Sequence, residues 1–220
     1  LEFSNDTGFD SLIHTLQCAG VSLVHFHHLL GHNPIVQAIP KALGVPFDFT
    51  VHDHYSYCPQ ISLTDHTNRY CGEKGETQCN ECLQRSPAPG GVDIGTWRKN
   101  HQLFLNRSRF ILAPSLDTAR RMKKFMPTAD IRVALHTDLE PHVAESIPKP
   151  RERAPGLPLK IVVIGALSNI KGADVLESVA IAAKKAKAPL EFHLVGYAYR
   201  SLKTRPTSYL TVHGEYKEAE

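Results

Sequence analysis

Short apolar runs rich in β-branched and aromatic residues alternate with segments whose apolar positions recur at the helical period, at intervals of roughly 20 to 30 residues. That alternation predicts a parallel α/β architecture. Ser11 to Ala19 predicts a helix and Val21 to His27 (VSLVHFH) the strand after it. Asn33 stands as an N-cap with Pro34 at the first helical position, where the missing proline N–H costs nothing, and Gly44 closes that helix. Phe47 to Val51 is the next strand. From His54 to about Gly91 the pattern becomes irregular and rich in Cys, Pro, Gly and polar residues; a loop of that length in a compact domain is functional, metal-clamped or mobile. Regular periodicity resumes with a helix over Asp93 to Asn106, a strand over Phe110 to Ala113, a helix over Leu116 to Phe125 capped by Ser115, and a strand over Ile131 to Leu135.

The segment PHVAESIPKPRERAPGLPL then carries five prolines and mixed charge with no apolar period, which marks an interdomain linker. Beyond it the alternation starts afresh: strand Lys160 to Ile164, helix Ala173 to Lys187, strand Leu190 to Val195 and strand Tyr209 to His213. The expected organisation is a first domain over 1–140 with a Cys-rich insertion at 54–91, a linker over 141–158, and the start of a second domain over 159–220. Both domains are expected to be incomplete. The first opens on a helix and not on a βαβ unit, and the second stops after its third strand.

Composition narrows the class. With 220 residues, 42% hydrophobic and 21% charged, the chain fits a soluble globular protein of one or two domains. No apolar run reaches 18 residues, so no helical membrane span is encoded. The opening LEFSNDTGFD lacks a basic region followed by an apolar stretch and does not read as a secretory signal, although a chain that begins without Met would not display a parent's leader. A net charge of +3 without a basic stripe gives no reason to expect a nucleic-acid partner. The densest cationic run, Lys184, Lys185 and Lys187, reads as a solvated helix C-terminus.

Candidate chemistry gathers at strand ends, where open α/β sheets bind ligands. In VHFHH, His25 and His27 fall on one face and Phe26 and His28 on the other; such imidazoles hydrogen-bond a sugar or are satisfied by neighbouring loops. In FDFTVHDHYSY, His52 and Asp53 arrive as the strand ends, placing an imidazole to move a proton or position a hydroxyl, while Asp53 can instead cap the following turn. In KIVVIGALSNIKGADVL, a strand is followed by Gly165, then Ser168, Asn169, Lys171 and Gly172 before a helix. A turn at a helix N-terminus with an added lysine is an anion site suited to a diphosphate, or else an ordinary strand-to-helix turn. It contains neither GxGxxG nor GxxxxGK[ST], so neither the usual dinucleotide fingerprint nor a P-loop is indicated. Finally, Cys58, Cys71, Cys79 and Cys82 follow the pattern C-x12-C-x7-C-x2-C, with Cys18 apart in a helix. Four thiolates can complete a tetrahedral Zn²⁺ site; two disulfides or four free thiols are the other readings.

The order and spacing of VHFHH, HDHYSYCPQISLTDHTNRYC, CNECL, IGALSNIKGADVL and EFHLVG resemble the retaining glycosyltransferases of group 1 (family 4-like), which are built from two Rossmann-like domains, the GT-B fold. The resemblance implies a nucleoside-diphosphate sugar held mainly by the second domain and a glycan, polysaccharide or lipid-linked acceptor held mainly by the first. It also implies transfer with retention, without a catalytic metal, at the cytoplasmic face of a membrane with which the protein associates peripherally. On this chain, Lys171 matches the lysine that contacts the diphosphate, beside Gly165, Ser168, Asn169 and Gly172. His52 matches the catalytic histidine near the transferred sugar, with His27, His28, Asp53 and His54 on the acceptor and sugar side. The cysteines are then structural. Two features depart from the pattern: Ala166 stands where many relatives carry arginine, and the acidic E-x7-E segment would lie beyond Glu220. The glycine-rich loop expected near the family's N-terminus is missing too, so the segment is expected to bind donor weakly or not at all. Competing expectations are a non-catalytic glycan- or nucleotide-binding module with a zinc-clamped loop, and a sugar-nucleotide epimerase of the same fold.

Overall fold

The computed structural model describes residues 6–135, 154, 156–198 and 210–216. The expected linker over 141–158 lies almost wholly outside the described residues. The chain divides into two compact units, Leu1–Asp138 and Leu139–Glu220.

The first unit opens with helix α1 (Asp6–Cys18), then strand β1 (Val24–Phe26). Asn33 caps the next helical segment as expected, its side chain accepting from the Ile35 N–H at 3.0 Å, and Gly44 ends it in the left-handed conformation. The segment is not one α-helix, however. It begins as a 3₁₀ stretch (Pro34–Ala38) and becomes helix α2 (Ile39–Leu43) only where Pro40 sets a new first turn. Strand β2 (Phe47–Thr50), helix α3 (Glu76–Arg85), helix α4 (Ile94–Leu105), strand β3 (Ile111–Ala113), helix α5 (Leu116–Phe125) and strand β4 (Ile131–Val133) follow. Ser115 caps α5 as expected, accepting from the Thr118 N–H, and Asp93, expected as the first residue of its helix, instead caps α4 by accepting from the Thr96 N–H.

The four strands form a parallel sheet in the order β1-β2-β3-β4, so helices cross over between successive neighbours. All four residues of β2 are buried. Beside it Phe47 stacks on Phe104 at 4.8 Å and Phe26 meets both edge-on, while Leu105, Ile111 and Met122 fill the remaining core. Burial on both faces traps Asp48, which is satisfied by a two-pronged contact from Arg109: Nε to Oδ1 at 3.0 Å and Nη2 to Oδ2 at 2.7 Å.

The insertion corrects one sequence expectation. It is not irregular throughout, because α3 occupies ETQCNECLQR. Only Leu83 of that helix is buried and no side chain caps its start, so neither apolar periodicity nor a cap advertised it.

In the second unit, strands β5 (Leu159–Leu167), β6 (Leu190–Ala198) and β7 (Leu210–Gly214) form a parallel sheet in that order. Helix α6 (Ala173–Lys185) covers one face, setting Ala173, Leu176, Ala180 and Ala183 against Leu167, Phe192, Leu194 and Leu210. On the other face Val162 and Ile164 are 54% and 68% exposed. The strand was expected to stop at Ile164 and to use Gly165 in the turn. Instead it runs on to Leu167, and Gly165 pairs with Gly196 inside the ladder. The glycines serve a close backbone approach: a Cβ on Gly196 would stand 2.2 Å from the Gly165 carbonyl oxygen.

Candidate active site

β1 and β2 run in parallel with Val24 opposite Phe47 and Phe26 opposite Phe49, and beyond the last ladder pair their polar ends keep company. Three contacts repeat at a constant separation of 25 residues. His25 Nε2 meets Thr50 Oγ1 at 2.7 Å, His27 Nδ1 meets His52 Nε2 at 3.0 Å, and His28 Nε2 meets Asp53 Oδ2 at 2.6 Å. Period-two alternation does the sorting: Phe26 enters the core while His25 and His27 stack face to face at 4.5 Å on the other side. Burial, and then the neighbouring His27, hold the His25 imidazole below its ordinary pKa.

The tautomer of His28 follows from its neighbours. Its Nδ1 accepts from the Leu30 N–H at 2.8 Å, so Nε2 carries the proton and donates to Asp53. Asp53 also accepts from the Tyr55 N–H at 2.8 Å, and so both orients an imidazole and caps the turn. His52 is exposed, and between it and His27 one nitrogen donates and the other accepts, an arrangement able to pass a proton or to grip a hydroxyl. His54 goes elsewhere. Its Nδ1 bonds the hydroxyl of buried Tyr57, and burial holds its pKa below the usual imidazole value.

Helix α4 adds residues that the sequence reading passed over. Trp97 donates its indole N–H to the Tyr55 carbonyl at 2.9 Å, and His101, one turn later, packs on Trp97 at 4.5 Å and edge-on to Tyr55 at 5.7 Å. His101 Nδ1 donates to the Trp97 carbonyl at 2.9 Å, leaving Nε2 as an acceptor, and burial keeps the ring below its ordinary pKa. These side chains wall a cavity of about 430 Å³ bounded also by the loop from Leu30 to Pro34. His101, Tyr55 and Leu29 border in addition a small pocket lined by His27, His28, His52 and Asp53, so the cavity adjoins the strand-end cluster. The available signal was Trp97 and His101 spaced four apart, which puts an aromatic and a titratable ring on one helix face.

The turn of the second unit is tightly self-satisfied. Lys171 N–H donates to the Ser168 carbonyl at 3.1 Å, Gly172 N–H to the Asn169 carbonyl at 3.1 Å, and Ala173 N–H to the Ser168 carbonyl at 3.1 Å. Gly172, at φ +85°, turns the chain into α6 without a side-chain cap. Ser168, Asn169, Lys171 and Gly172 are therefore brought together, Gly165 is not among them, and Asn169, Ile170 and Lys171 are exposed on the turn. Cys58, Cys71, Cys79 and Cys82 border a different cavity, of about 60 Å³, and Cys18 is exposed on α1.

No family model and no curated protein matches the chain. Among solved structures it is similar to the crystal structure of a GtfA/B complex, with a TM-score of 0.59 at 13% identity, over 96% of this chain and 38% of that one. The fold is glycosyltransferase-like. Its two α/β units, with parallel sheets of four and three strands, make up part of a GT-B type fold, and the chain spans 38% of the length of the chain it matches.

Proposed function

We propose that this chain is the acceptor-side domain and the beginning of the donor-binding domain of a retaining glycosyltransferase of the family 4-like group. It moves a sugar from a nucleoside-diphosphate sugar to a glycan, polysaccharide or lipid-linked acceptor. The observation that carries the proposal is the strand-end cluster of His27, His28, His52 and Asp53 opening beside an aromatic-walled cavity, on a fold of glycosyltransferase type. Retention and the donor class rest on the sequence resemblance.

In the reaction the bond from the anomeric carbon to the diphosphate oxygen breaks, a bond to the acceptor oxygen forms, and the proton of the acceptor hydroxyl passes to the leaving diphosphate. Negative charge grows on the leaving diphosphate, and a cation such as the Lys171 ammonium stabilises it there. His52 grips a hydroxyl of the transferred sugar, with its ring oriented by His27. Asp53 and His28 fix the turn that carries it. Tyr55, Trp97 and His101 offer ring faces and edges to an acceptor. Among the described residues no helix is long and apolar enough to cross a membrane, and a peripheral place at the cytoplasmic face suits a lipid-linked acceptor.

The test is transfer by the intact protein from a panel of UDP, GDP and ADP sugars. His52→Ala is expected to lower turnover by about 100-fold or more with donor affinity nearly unchanged, and Lys171→Ala to cut transfer sharply without altering the fold. Unchanged turnover in both variants, or no transfer from any donor, overturns the proposal. Release of an epimerised sugar without acceptor would identify an epimerase instead.

A further inference from the structure

The insertion between β2 and α4 is held in a costly conformation with little interior of its own. Four of its non-glycine residues, Ile61, Leu63, Asn68 and Glu73, sit in the left-handed region at φ between +52° and +62°. For a β-branched residue such as Ile61 that region is a genuine strain, and strained backbone persists only where its surroundings over-determine it. The local apolar cluster is small, formed by Leu83, Ala88, Ile94 and Trp97.

Into this segment the backbone delivers four thiols from three directions. Cys58 closes the turn after β2, its N–H donating to the His54 carbonyl at 2.9 Å. An antiparallel bridge between Thr64 and Tyr70 returns the chain, so that the Cys71 N–H donates to the Leu63 carbonyl at 2.9 Å. Helix α3 then presents Cys79 and Cys82 one turn apart on a common face. All four are free thiols and all four border the same cavity of about 60 Å³. Cationic side chains stand at its wall: Lys74 lines it, and Arg98 Nη2 lies 3.6 Å from Cys79 Sγ.

We infer that Cys58, Cys71, Cys79 and Cys82 together bind one structural Zn²⁺, as four thiolates in a closed tetrahedral set. Each thiol surrenders its proton on binding, and the resulting site, of net charge about −2, is matched by Lys74 and Arg98 around it. Among the described residues no three potential ligands already converge on a common point, so binding draws the sulfurs inward from the cavity wall. The ion ties the returning loop to α3. Arg98 strengthens the tie between α3 and the turn after β2: its Nε donates to the Tyr57 carbonyl at 3.1 Å, next to Cys58, while its Nη2 faces Cys79. The metal thus clamps the segment that leaves His52 and Asp53, without taking part in transfer.

The test starts with unmutated protein purified under reducing conditions without chelator. The expected result is about one zinc per chain, four thiols shielded from alkylation while Cys18 reacts, and an intense thiolate-to-metal charge-transfer absorption when Co²⁺ replaces Zn²⁺. Chelation should open residues 54–91 to proteolysis. Cys71→Ser and Cys82→Ser should each weaken metal binding by more than about 100-fold, beyond what loss of an outer-shell partner costs, and Cys18→Ser should not change it. A protein that takes up neither Zn²⁺ nor Co²⁺, two disulfides by mass, or metal retained by both serine variants overturns the inference. The measurements on unmutated protein decide the matter even where a variant fails to fold.

Discussion

The four-stranded sheet of the first unit and the three-stranded sheet of the second are both parallel, yet they bury their strands on different plans. β2 is closed off on both faces, so even Asp48 and Thr50 lie inside and need partners within the protein. β5 is covered by α6 on one face only and leaves Val162 and Ile164 exposed on the other. The histidine cluster grows from the doubly buried sheet. Side chains at its strand ends inherit fixed positions from a core that leaves the strands no freedom, which is what a site needs to hold geometry. The second unit achieves rigidity differently, by letting two backbones touch at Gly165 and Gly196.

The largest expected effect breaks that contact. A Cβ at position 196 would sit 2.2 Å from the Gly165 carbonyl oxygen, at a φ of +131° that side chains rarely adopt. Gly196→Val should therefore cost more than about 4 kcal/mol and dissolve the β5–β6 ladder. Gly165→Ala, at φ +119° but with no atom within 4 Å of the added carbon, should cost about 1–3 kcal/mol. Hydrogen exchange in β5 and β6 reads the loss, while the single tryptophan, Trp97, reports the first unit separately. If Gly196→Val leaves exchange in β5 and β6 unchanged, the close approach of the two backbones is not what holds the ladder.

A second pair of substitutions measures the difference in burial directly. Ile111 is 0% exposed and Ile164 68%. Ile111→Ala should destabilise the first unit by about 2–5 kcal/mol, through lost transfer energy and the cavity left behind. Ile164→Ala should change the second by less than about 1 kcal/mol. Equal losses in denaturant titrations would mean that the open face of β5 is covered in solution.

The same contrast explains what could be read from the residues. Caps announce themselves locally, so Asn33 and Ser115 stand where the sequence places them, and the alternation of apolar runs with helical periods matches two α/β units. The strand-end histidines were legible because position at the end of a predicted strand is a one-dimensional property. What failed depended on the third dimension. The sequence puts Gly165 after the strand, where it allows a close backbone approach to a ligand, whereas the backbone that approaches it is that of a partner strand about 30 residues away. Helix α3 hides because its stabilising contacts come from outside it, such as Asn80 accepting from the Ile94 N–H at 2.8 Å. Trp97 and His101 join the site only once α4 packs against the turn after β2; their spacing puts them on one helix face but does not say what that face meets.

A smaller effect concerns acid. The hydrogen bonds from Arg109 hold the Asp48 carboxyl below its ordinary range, so the unfolded chain takes up the proton first as pH falls. The stabilisation is complete above about pH 4 and fades below it. Asp48→Asn should lower stability at neutral pH by about 1–2 kcal/mol and flatten the acid limb of the profile for the first unit. An unchanged acid limb would show that Arg109, which lies at the surface, does not govern the carboxylate.

The smallest effect probes the aromatic wall. Burial holds His101 and His54 below the ordinary imidazole pKa, so at neutral pH and above both folded and unfolded chains carry these rings uncharged. As pH drops through about 6.5, the unfolded state binds protons that the folded state refuses, and stability declines from there downward. Each ring can contribute at most ~1.4 kcal/mol per pH unit in that window. His101→Phe should remove part of the slope and keep the packing on Trp97, and adding His54→Phe should remove more. Because Trp97 lies against His101, its fluorescence follows both the unfolding and the local ring. A slope between pH 6.5 and 5 that survives in the double variant would move its origin to His25, whose ring is also held below its ordinary pKa by burial and by the neighbouring His27.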